Sequence, residues 1–401
     1  MDKLRVRAYN VRFGDAILVS VPDKTSTGAK KMRHILIDVG NALGGKNQGG
    51  LDTVFEPVIN NILEVLKGEP LDLYIMTHEH MDHVQGLMYA ATKRKEGLNK
   101  ILKDELKVSY AWLSASAHPE YYDNFPNAEK EKNIATKTYE AIGRYLQASE
   151  KLAAPNTENA WFRALMHNND PRATADCVDY LRALAPESKT FYVHRETNLE
   201  GKHPFQEAKL SIWGPEEDTS IYYGRFKPMA LNVSTGEGVA TTPSLTTPIP
   251  PPGVDAGAFY QLVEARQNGY VENLLAIDRA ANNTSLVFCL EWRKWKLLFA
   301  GDAEERSWKE MNKRELLKPV HFLKISHHGS HNGTPDAALV EKIMPARAPD
   351  RRKRSALVST CVETYGGIPH GDTIDLLATR CKVSSTEPLE NGAYLDIVFK
   401  G

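Results

Sequence analysis

A box of histidines and an aspartate places the strongest constraint on how this chain can fold. Residues 77–83 read Thr-His-Glu-His-Met-Asp-His, directly after an apolar run that is typical of a buried strand. Side chains two positions apart on extended backbone project to the same side, so His78 and His80 can bind one cation together. Asp82 and His83 follow a bend and point elsewhere, which suits a second cation nearby. The alternative is a histidine-rich surface loop, but packing and solubility seldom require this composition.

The overall composition is that of a globular protein with balanced charge. Lys and Arg number 50 against 51 Asp and Glu, which gives a net charge of −1. Any contact with nucleic acid therefore requires a local basic patch. The length of 401 residues suggests two or three domains, although one enlarged catalytic domain also fits.

The sequence carries no signal for a membrane or a secretory route. It contains no apolar run of about 18 residues, so we expect no membrane span. Its first residues are charged and lead directly into a strand pattern, unlike a secretory signal. The four cysteines are far apart and form no C-x-x-C pair, which disfavours a structural zinc knot. We therefore expect reduced thiols and a cytoplasmic protein.

Two later segments repeat the arrangement of an apolar strand followed by candidate ligands. Residues 295–300 form a strand pattern that ends in Gly-Asp. There Asp302 either caps the next helix or supplies a carboxylate that bridges two metal ions. Residues 322–325 form another strand pattern, which leads into a loop of small residues that contains His327 and His328. Packing does not explain why histidines recur at the same kind of position.

The middle of the chain has a different character. Residues 128–186 are charged and carry apolar positions at helical spacing, which predicts helices over or beside the site. Residues 241–253 are rich in Pro and Thr and predict an extended surface loop, which could recruit a protein partner. We therefore assign a helical insertion to residues 115–205 and a Pro-rich irregular insertion to residues 216–280.

Taken in chain order, the motifs resemble those of the metallo-β-lactamase superfamily. The matching segments are Asp38-Val39-Gly40, the box at residues 78–83, Gly301-Asp302 and a late strand-end histidine. A closer similarity is to the soluble metallo-hydrolase domain of ComEC-type DNA-uptake proteins. The shared patterns are Phe-Gly-Asp-Ala at residues 13–16, Asn-Asn-Thr-Ser-Leu-Val at 282–287 and Leu-Lys-Ile-Ser-His-His-Gly-Ser at 323–330. The superfamily's histidine between the box and Gly301-Asp302 has no clear counterpart.

The resemblance implies a fold of the α/β (α+β) class, an αββα sandwich of two mixed sheets within one domain over residues 1–401. The metal ions would lie at one edge between the sheets. The strand clusters at both ends of the chain, and the candidate ligands at strand ends, agree with this fold. Asp38 is then either a turn acceptor before Gly40 or an anchor for a metal-binding histidine.

The resemblance also implies a hydrolase that binds two divalent metal ions, zinc or manganese. A water shared by two such ions loses a proton near neutral pH and becomes the nucleophile. The expected metal ligands are His78, His80, Asp82, His83, Asp302 and His327 or His328. The expected catalytic residues are Asp82, Lys324, Ser330 and His370, the last three for phosphate binding or protonation of the leaving group. Lys324 could instead be a strand residue that faces solvent.

The expected substrate is a phosphodiester, and a nuclease activity follows from the ComEC-type resemblance. The balanced charge favours a short or single-stranded nucleic acid over a long duplex. Two alternatives remain open. The same site could hydrolyse a lactone, a thioester or a β-lactam, because fold and ligands are shared. The chain could also be an inert scaffold that binds a partner through its Pro-rich loop.

Overall fold

Two mixed β-sheets form the centre of the structure, a computed structural model that describes residues 2–42, 51–97, 105–150, 160–226, 269–348, 350–362, 364 and 367–401. The strands are β1 (Lys3–Tyr9), β2 (Ala16–Lys24), β3 (Lys30–Val39), β4 (Leu73–Met76), β5 (Ala111–Ser114), β6 (Thr190–Val193), β7 (Lys209–Gly214), β8 (Val287–Trp292), β9 (Trp295–Phe299), β10 (Phe322–Lys324), β11 (Ser355–Val358), β12 (Lys382–Ser385) and β13 (Tyr394–Lys400).

Each sheet combines parallel and antiparallel pairs. The first sheet has seven strands in the order β13-β1-β2-β3-β4-β5-β6, and its strands from β3 to β6 are parallel. The second has six strands in the order β12-β11-β10-β9-β8-β7, with parallel pairing from β9 to β12. Strands that run parallel end at the same edge of their sheet, so the segments that follow them are brought together there.

The alternation of side chains along each strand creates the core between the sheets. On β3, Ile35 and Ile37 face the second sheet, whereas Leu36 faces the helices outside the first. From the second sheet, Phe288 and Phe299 stack with ring centroids 5.0 Å apart in the same central core. The apolar strand runs therefore bury one face between the sheets and the other beneath helices.

Helices cover the outer faces of both sheets. The helices are α1 (Leu51–Leu66), α2 (Met81–Gly97), α3 (Tyr121–Asn124), α4 (Pro126–Glu150), α5 (Ala160–Asn168), α6 (Pro171–Arg182), α7 (Tyr270–Asn283), α8 (Glu305–Lys313), α9 (Ala337–Ile343) and α10 (Gly371–Ala378). Apolar residues of α1, α2 and α6 pack on the first sheet, and those of α8, α9 and α10 pack on the second. A separate apolar cluster joins α4, α5 and α7.

The predicted fold class is confirmed, because two mixed sheets lie between helical layers. α7, which begins at Tyr270 inside the range predicted to be irregular, was not predicted from the sequence. The edge strands β6 and β12, which are only partly buried, were not predicted either. The Pro-rich passage at residues 241–253 lies outside the described residues, and the boundaries of the two insertions stay predictions. Among the described helices, none has the length and apolar character that crossing a membrane requires.

Candidate metal centre

Four buried side chains meet where strands of the two sheets end. Asp82 and His83 follow β4, Asp302 follows β9 and His328 follows β10. Asp302 Oδ2 lies 3.2 Å from His83 Nε2 and 3.1 Å from His328 Nε2, and Asp82 Oδ2 lies 3.2 Å from the same His328 nitrogen. We call Asp82, His83, Asp302 and His328 the four-residue cluster. Its ligand atoms all lie within 4.8 Å of one another, which is close enough to bind a metal ion.

Both histidines of the four-residue cluster are oriented by groups behind them. His83 Nδ1 donates a hydrogen bond of 2.8 Å to Asp38 Oδ2, and His328 Nδ1 donates one of 2.7 Å to the carbonyl oxygen of Ser359. Each Nε2 atom is thereby directed into the cluster, as metal-binding histidines require. Asp38 thus anchors a histidine, one of the two roles that the sequence left open. Asp38 and His328 have φ values of 51° and 53°, a strained region for such residues that is often seen at functional sites.

Lys324 holds the carboxylate of Asp302 from the opposite side. Its side chain is 1% exposed, and its Nζ lies 2.5 Å from Asp15 Oδ2 and 3.2 Å from Asp302 Oδ1. It also donates to the Gly301 carbonyl at 3.1 Å. Lys324 therefore does not face solvent. Because Oδ1 of Asp302 is engaged by the ammonium, Oδ2 is left to face the histidines.

His78 and His80, which we call the two-histidine pair, lie beside the four-residue cluster. His78 Nε2 is 3.0 Å from His80 Nδ1, and Asp82 completes a group within metal-binding distance. His80 Nε2 donates to Asn169 Oδ1 at 3.0 Å, and Asn169 in turn donates to Asp278 at 2.8 Å. His80 therefore directs a lone pair of Nδ1 towards His78. In the described part of the chain, this group contains no third histidine.

The electrostatics of the four-residue cluster favour a bound cation. Burial raises the pKa of Asp302, but His328, His83 and Lys324 outweigh that effect and hold this pKa well below its ordinary value. Burial lowers the pKa of His83, but the carboxylates of Asp302, Asp82 and Asp38 raise it well above its ordinary value. Asp82 Oδ1, His83 Nε2 and Asp302 Oδ2 are buried and find no hydrogen-bond partner among the described residues. A cation among them would satisfy all three atoms, so these residues fit a metal ion.

The other predicted residues lie around the four-residue cluster. His327 Nδ1 is 3.1 Å from Glu304 Oε1 and 2.9 Å from Ser330 Oγ, so His327 belongs to a neighbouring group with Glu304 and Asp278. Of the two late histidines, it is His328 that joins Asp82, His83 and Asp302. The backbone N–H of His370 donates to the Gly329 carbonyl, which places His370 next to the late histidine loop.

Several polar residues around the site were not found from the sequence. They are Asn168, whose side chain accepts from the Asp82 N–H, together with Asn169, Asp278 and Glu304. All four lie on or next to helices. Asn168, Asn169 and Asp278 follow no recognisable motif, because their position depends on the packing of α5 and α7 against the box. Glu304 lies two residues after Asp302, directly before α8.

A cavity adjoins the site at His80. It has a volume of about 50 Å³ and includes Glu79, Lys132 and Tyr122 in its lining. The ammonium of Lys132 lies 3.7 Å from the Glu79 carboxylate. The cavity thus leads from the helices of the middle of the chain to the two-histidine pair.

Comparison with known proteins does not place the chain in a family: no protein-family model matches it, and no curated protein matches it. Conclusions about the protein therefore rest on its fold and on the geometry of the site. Two mixed sheets with a buried His and Asp cluster fit a metallo-hydrolase-like fold, and the cluster is compatible with a metal-dependent site.

Proposed function

We propose that the protein is a hydrolase that uses two divalent metal ions and cleaves phosphodiesters. The observation that carries this proposal is the convergence of Asp82, His83, Asp302 and His328 beside His78 and His80. These residues come from distant parts of the chain, since Asp82 and His328 are 246 positions apart. When bound, divalent cations acidify water and neutralise negative charge that develops on phosphoryl oxygens.

The protein's own residues then serve to hold and orient the reacting groups. Asp302 would contribute to both ions, with Lys324 fixing the direction of its carboxylate. Asp38 and the Ser359 carbonyl hold His83 and His328 in the tautomers that ligation requires. Lys324 is accordingly proposed to position Asp302, because its ammonium already has two carboxylate partners.

One observation favours a phosphodiester over other electrophiles: the motifs resemble those of ComEC-type metallo-hydrolase domains, which belong to DNA-uptake proteins. The balanced charge, with 50 Lys and Arg against 51 Asp and Glu, favours a short or single-stranded nucleic acid over a long duplex. We therefore propose a short or single-stranded substrate.

The test is an assay of purified protein after treatment with a chelator and after addition of Zn²⁺ or Mn²⁺. We expect hydrolysis of bis-p-nitrophenyl phosphate and of a single-stranded DNA oligonucleotide only when the metal is present. Asp302→Ala should lower this activity on the order of 10³-fold, because it removes a carboxylate from the centre of the site. The exposed residue Asp123 provides a matched control, since Asp123→Ala removes a carboxylate that belongs to none of the groups within metal-binding distance.

The same assay distinguishes the alternatives. Hydrolysis of nitrocefin without hydrolysis of either phosphodiester would replace the proposed reaction with that of a β-lactam hydrolase. Absence of tightly bound metal after equilibration with Zn²⁺ and Mn²⁺ would favour the inert scaffold, with the Pro-rich passage as its proposed partner-binding segment.

A further inference from the structure

A second pocket, rich in arginine, is lined in part by α7, which also lines the cavity at His80. Its volume is about 340 Å³, and three of its lining residues are Arg225, Arg279 and Arg306. The same lining includes the carboxylates of Glu304 and Glu305. We call this pocket the arginine pocket.

The carboxylates of the arginine pocket are engaged elsewhere. Glu304 Oε1 accepts a hydrogen bond of 2.9 Å from Asn282 and lies 3.1 Å from His327 Nδ1. Glu305 forms an ion pair with Lys309 one helical turn further on. Both carboxylates thus have other partners, and the lining contains three arginines against two carboxylates.

The three arginines differ in how firmly they are held. Arg306 donates to the carbonyl oxygens of Tyr222 and Tyr223 at 3.0 and 2.7 Å, which fixes its guanidinium in the pocket wall. Within the described residues, neither Arg225 nor Arg279 has an acidic side chain within ion-pair distance. The pocket thus combines one fixed cation with two guanidinium groups that no described carboxylate pairs with.

The arginine pocket lies next to the candidate metal centre. Glu304 follows Asp302 by two residues, and its carboxylate contacts His327, the neighbour of His328. Asn332, another lining residue, belongs to the loop that carries both late histidines. An anion bound among the arginines would therefore lie near the loop that carries both late histidines.

We propose that the arginine pocket binds a second phosphate group of the substrate, adjacent to the phosphodiester that is cleaved. The planar guanidinium fork binds phosphate oxygens in pairs, which the ammonium of lysine cannot do. The substrate class is thereby narrowed to phosphodiesters with a neighbouring phosphate, such as a nucleic-acid strand or a phosphorylated dinucleotide. This inference rests on the proposed function, since it names the substrate of the same site.

The test compares substrates with and without the second phosphate. The substrates are bis-p-nitrophenyl phosphate, a thymidine dinucleotide without terminal phosphate, and the same dinucleotide with a 5′-phosphate or a 3′-phosphate. In the wild type, one of the phosphorylated dinucleotides should have the highest kcat/KM, and which one it is identifies the strand direction. An oligonucleotide then shows whether an internal phosphate serves as well as a terminal one.

Substitutions in the arginine pocket should reduce this preference. We expect Arg279→Gln and Arg225→Gln each to lower the ratio of kcat/KM for the phosphorylated dinucleotide to kcat/KM for bis-p-nitrophenyl phosphate by about tenfold or more, mainly through KM. Arg279→Lys should restore part of the ratio, because the charge returns without the fork. Arg172→Gln is the matched control, since the Arg172 side chain is 89% exposed and lies outside the arginine pocket.

The outcomes separate this inference from the proposed function. If bis-p-nitrophenyl phosphate is hydrolysed but the ratio is the same in wild type, Arg225→Gln and Arg279→Gln, the arginine pocket does not bind substrate and only this inference fails. If no phosphodiester is hydrolysed, the proposed function fails. Calorimetric titration of the protein with the phosphorylated dinucleotide then tests the arginine pocket independently of activity. Loss of binding in Arg279→Gln would support phosphate binding in the pocket, and equal binding would overturn it.

Discussion

The four-residue cluster and the two-histidine pair lie side by side, yet they depend on different parts of the molecule. The four-residue cluster is built from segments that follow β4, β9 and β10, and the groups that orient its histidines lie at the ends of β3 and β11. In the two-histidine pair, His78 contacts Thr77, whereas His80 is oriented by Asn169, which donates to Asp278 of α7. The sheets therefore provide the groups that orient both histidines of the four-residue cluster, whereas the orientation of His80 requires helices from the middle of the chain.

A large difference in activity is expected between substitutions of the two late histidines. His328→Ala removes a nitrogen that faces Asp82 and Asp302, so we expect metal-dependent activity to fall more than about 100-fold, beyond the usual effect of an outer-shell change. His327→Ala removes contacts with Glu304 and Ser330 outside the four-residue cluster, and we expect a loss below about tenfold. Activity with added Zn²⁺ or Mn²⁺ and the metal content of each variant provide the measurement.

The two variants are controls for each other, since adjacent histidines are changed in the same way. Circular dichroism and thermal unfolding of both variants show whether the fold is retained. A larger loss in His327→Ala than in His328→Ala would mean that the neighbouring group with Asp278 and Glu304, rather than the four-residue cluster, holds the essential ion.

A smaller loss of metal affinity is expected when the groups that hydrogen-bond to the histidines are changed. One variant should affect the four-residue cluster and the other the two-histidine pair. Asp38→Asn weakens the partner of His83, and we expect metal affinity at the four-residue cluster to fall about 10- to 100-fold. Asn169→Ala removes the acceptor of His80 and should weaken the two-histidine pair by about tenfold. Calorimetric titration with Zn²⁺ should resolve two binding steps, each weakened by only one of the variants. If both variants weaken the same binding step, the four-residue cluster and the two-histidine pair are not independent sites.

The contrast between the sheets and the helices from the middle of the chain also explains which parts of the fold could be predicted from the sequence. Apolar runs such as residues 286–290 and 295–300 correspond to β8 and β9, because buried strands need apolar side chains on both faces. The edge strand β12 reads Lys-Val-Ser-Ser and is mostly half-buried, so it lacks that signal. α7 follows a Pro-rich passage and is held by Tyr270 and Leu274 against α4 and α5, which is a tertiary contact.

The candidate site could likewise be predicted only in part from the sequence. Ligand-type residues at strand ends could be identified because each lies in a short motif next to an apolar run. Which late histidine joins the four-residue cluster could not be predicted, because it depends on the left-handed backbone at both His327 and His328. Asn169 and Asp278 could not be identified either, since Asn169 lies 89 positions from His80 and the two residues are 109 positions apart.

The smallest expected effect is a difference in the pH dependence of metal affinity between the four-residue cluster and the two-histidine pair. Burial lowers the pKa of His328, but Asp302 and Asp82 raise it to about 9, so His328 carries a proton at neutral pH in the metal-free protein. Burial, together with His83 and His80, holds the pKa of His78 well below its ordinary value, so His78 is already neutral. A metal ion must therefore displace a proton from His328, and another from His83, whose pKa is also raised, but none from His78. We expect affinity at the four-residue cluster to fall by up to about tenfold per pH unit for each of these two protons as pH decreases below 9, with little change from His78. Calorimetry in buffers of different ionisation enthalpy, on the wild type and on a variant with both His78→Ala and His80→Ala, measures the protons released. Release that disappears in this variant would assign the titrating group to the two-histidine pair and contradict the expectation.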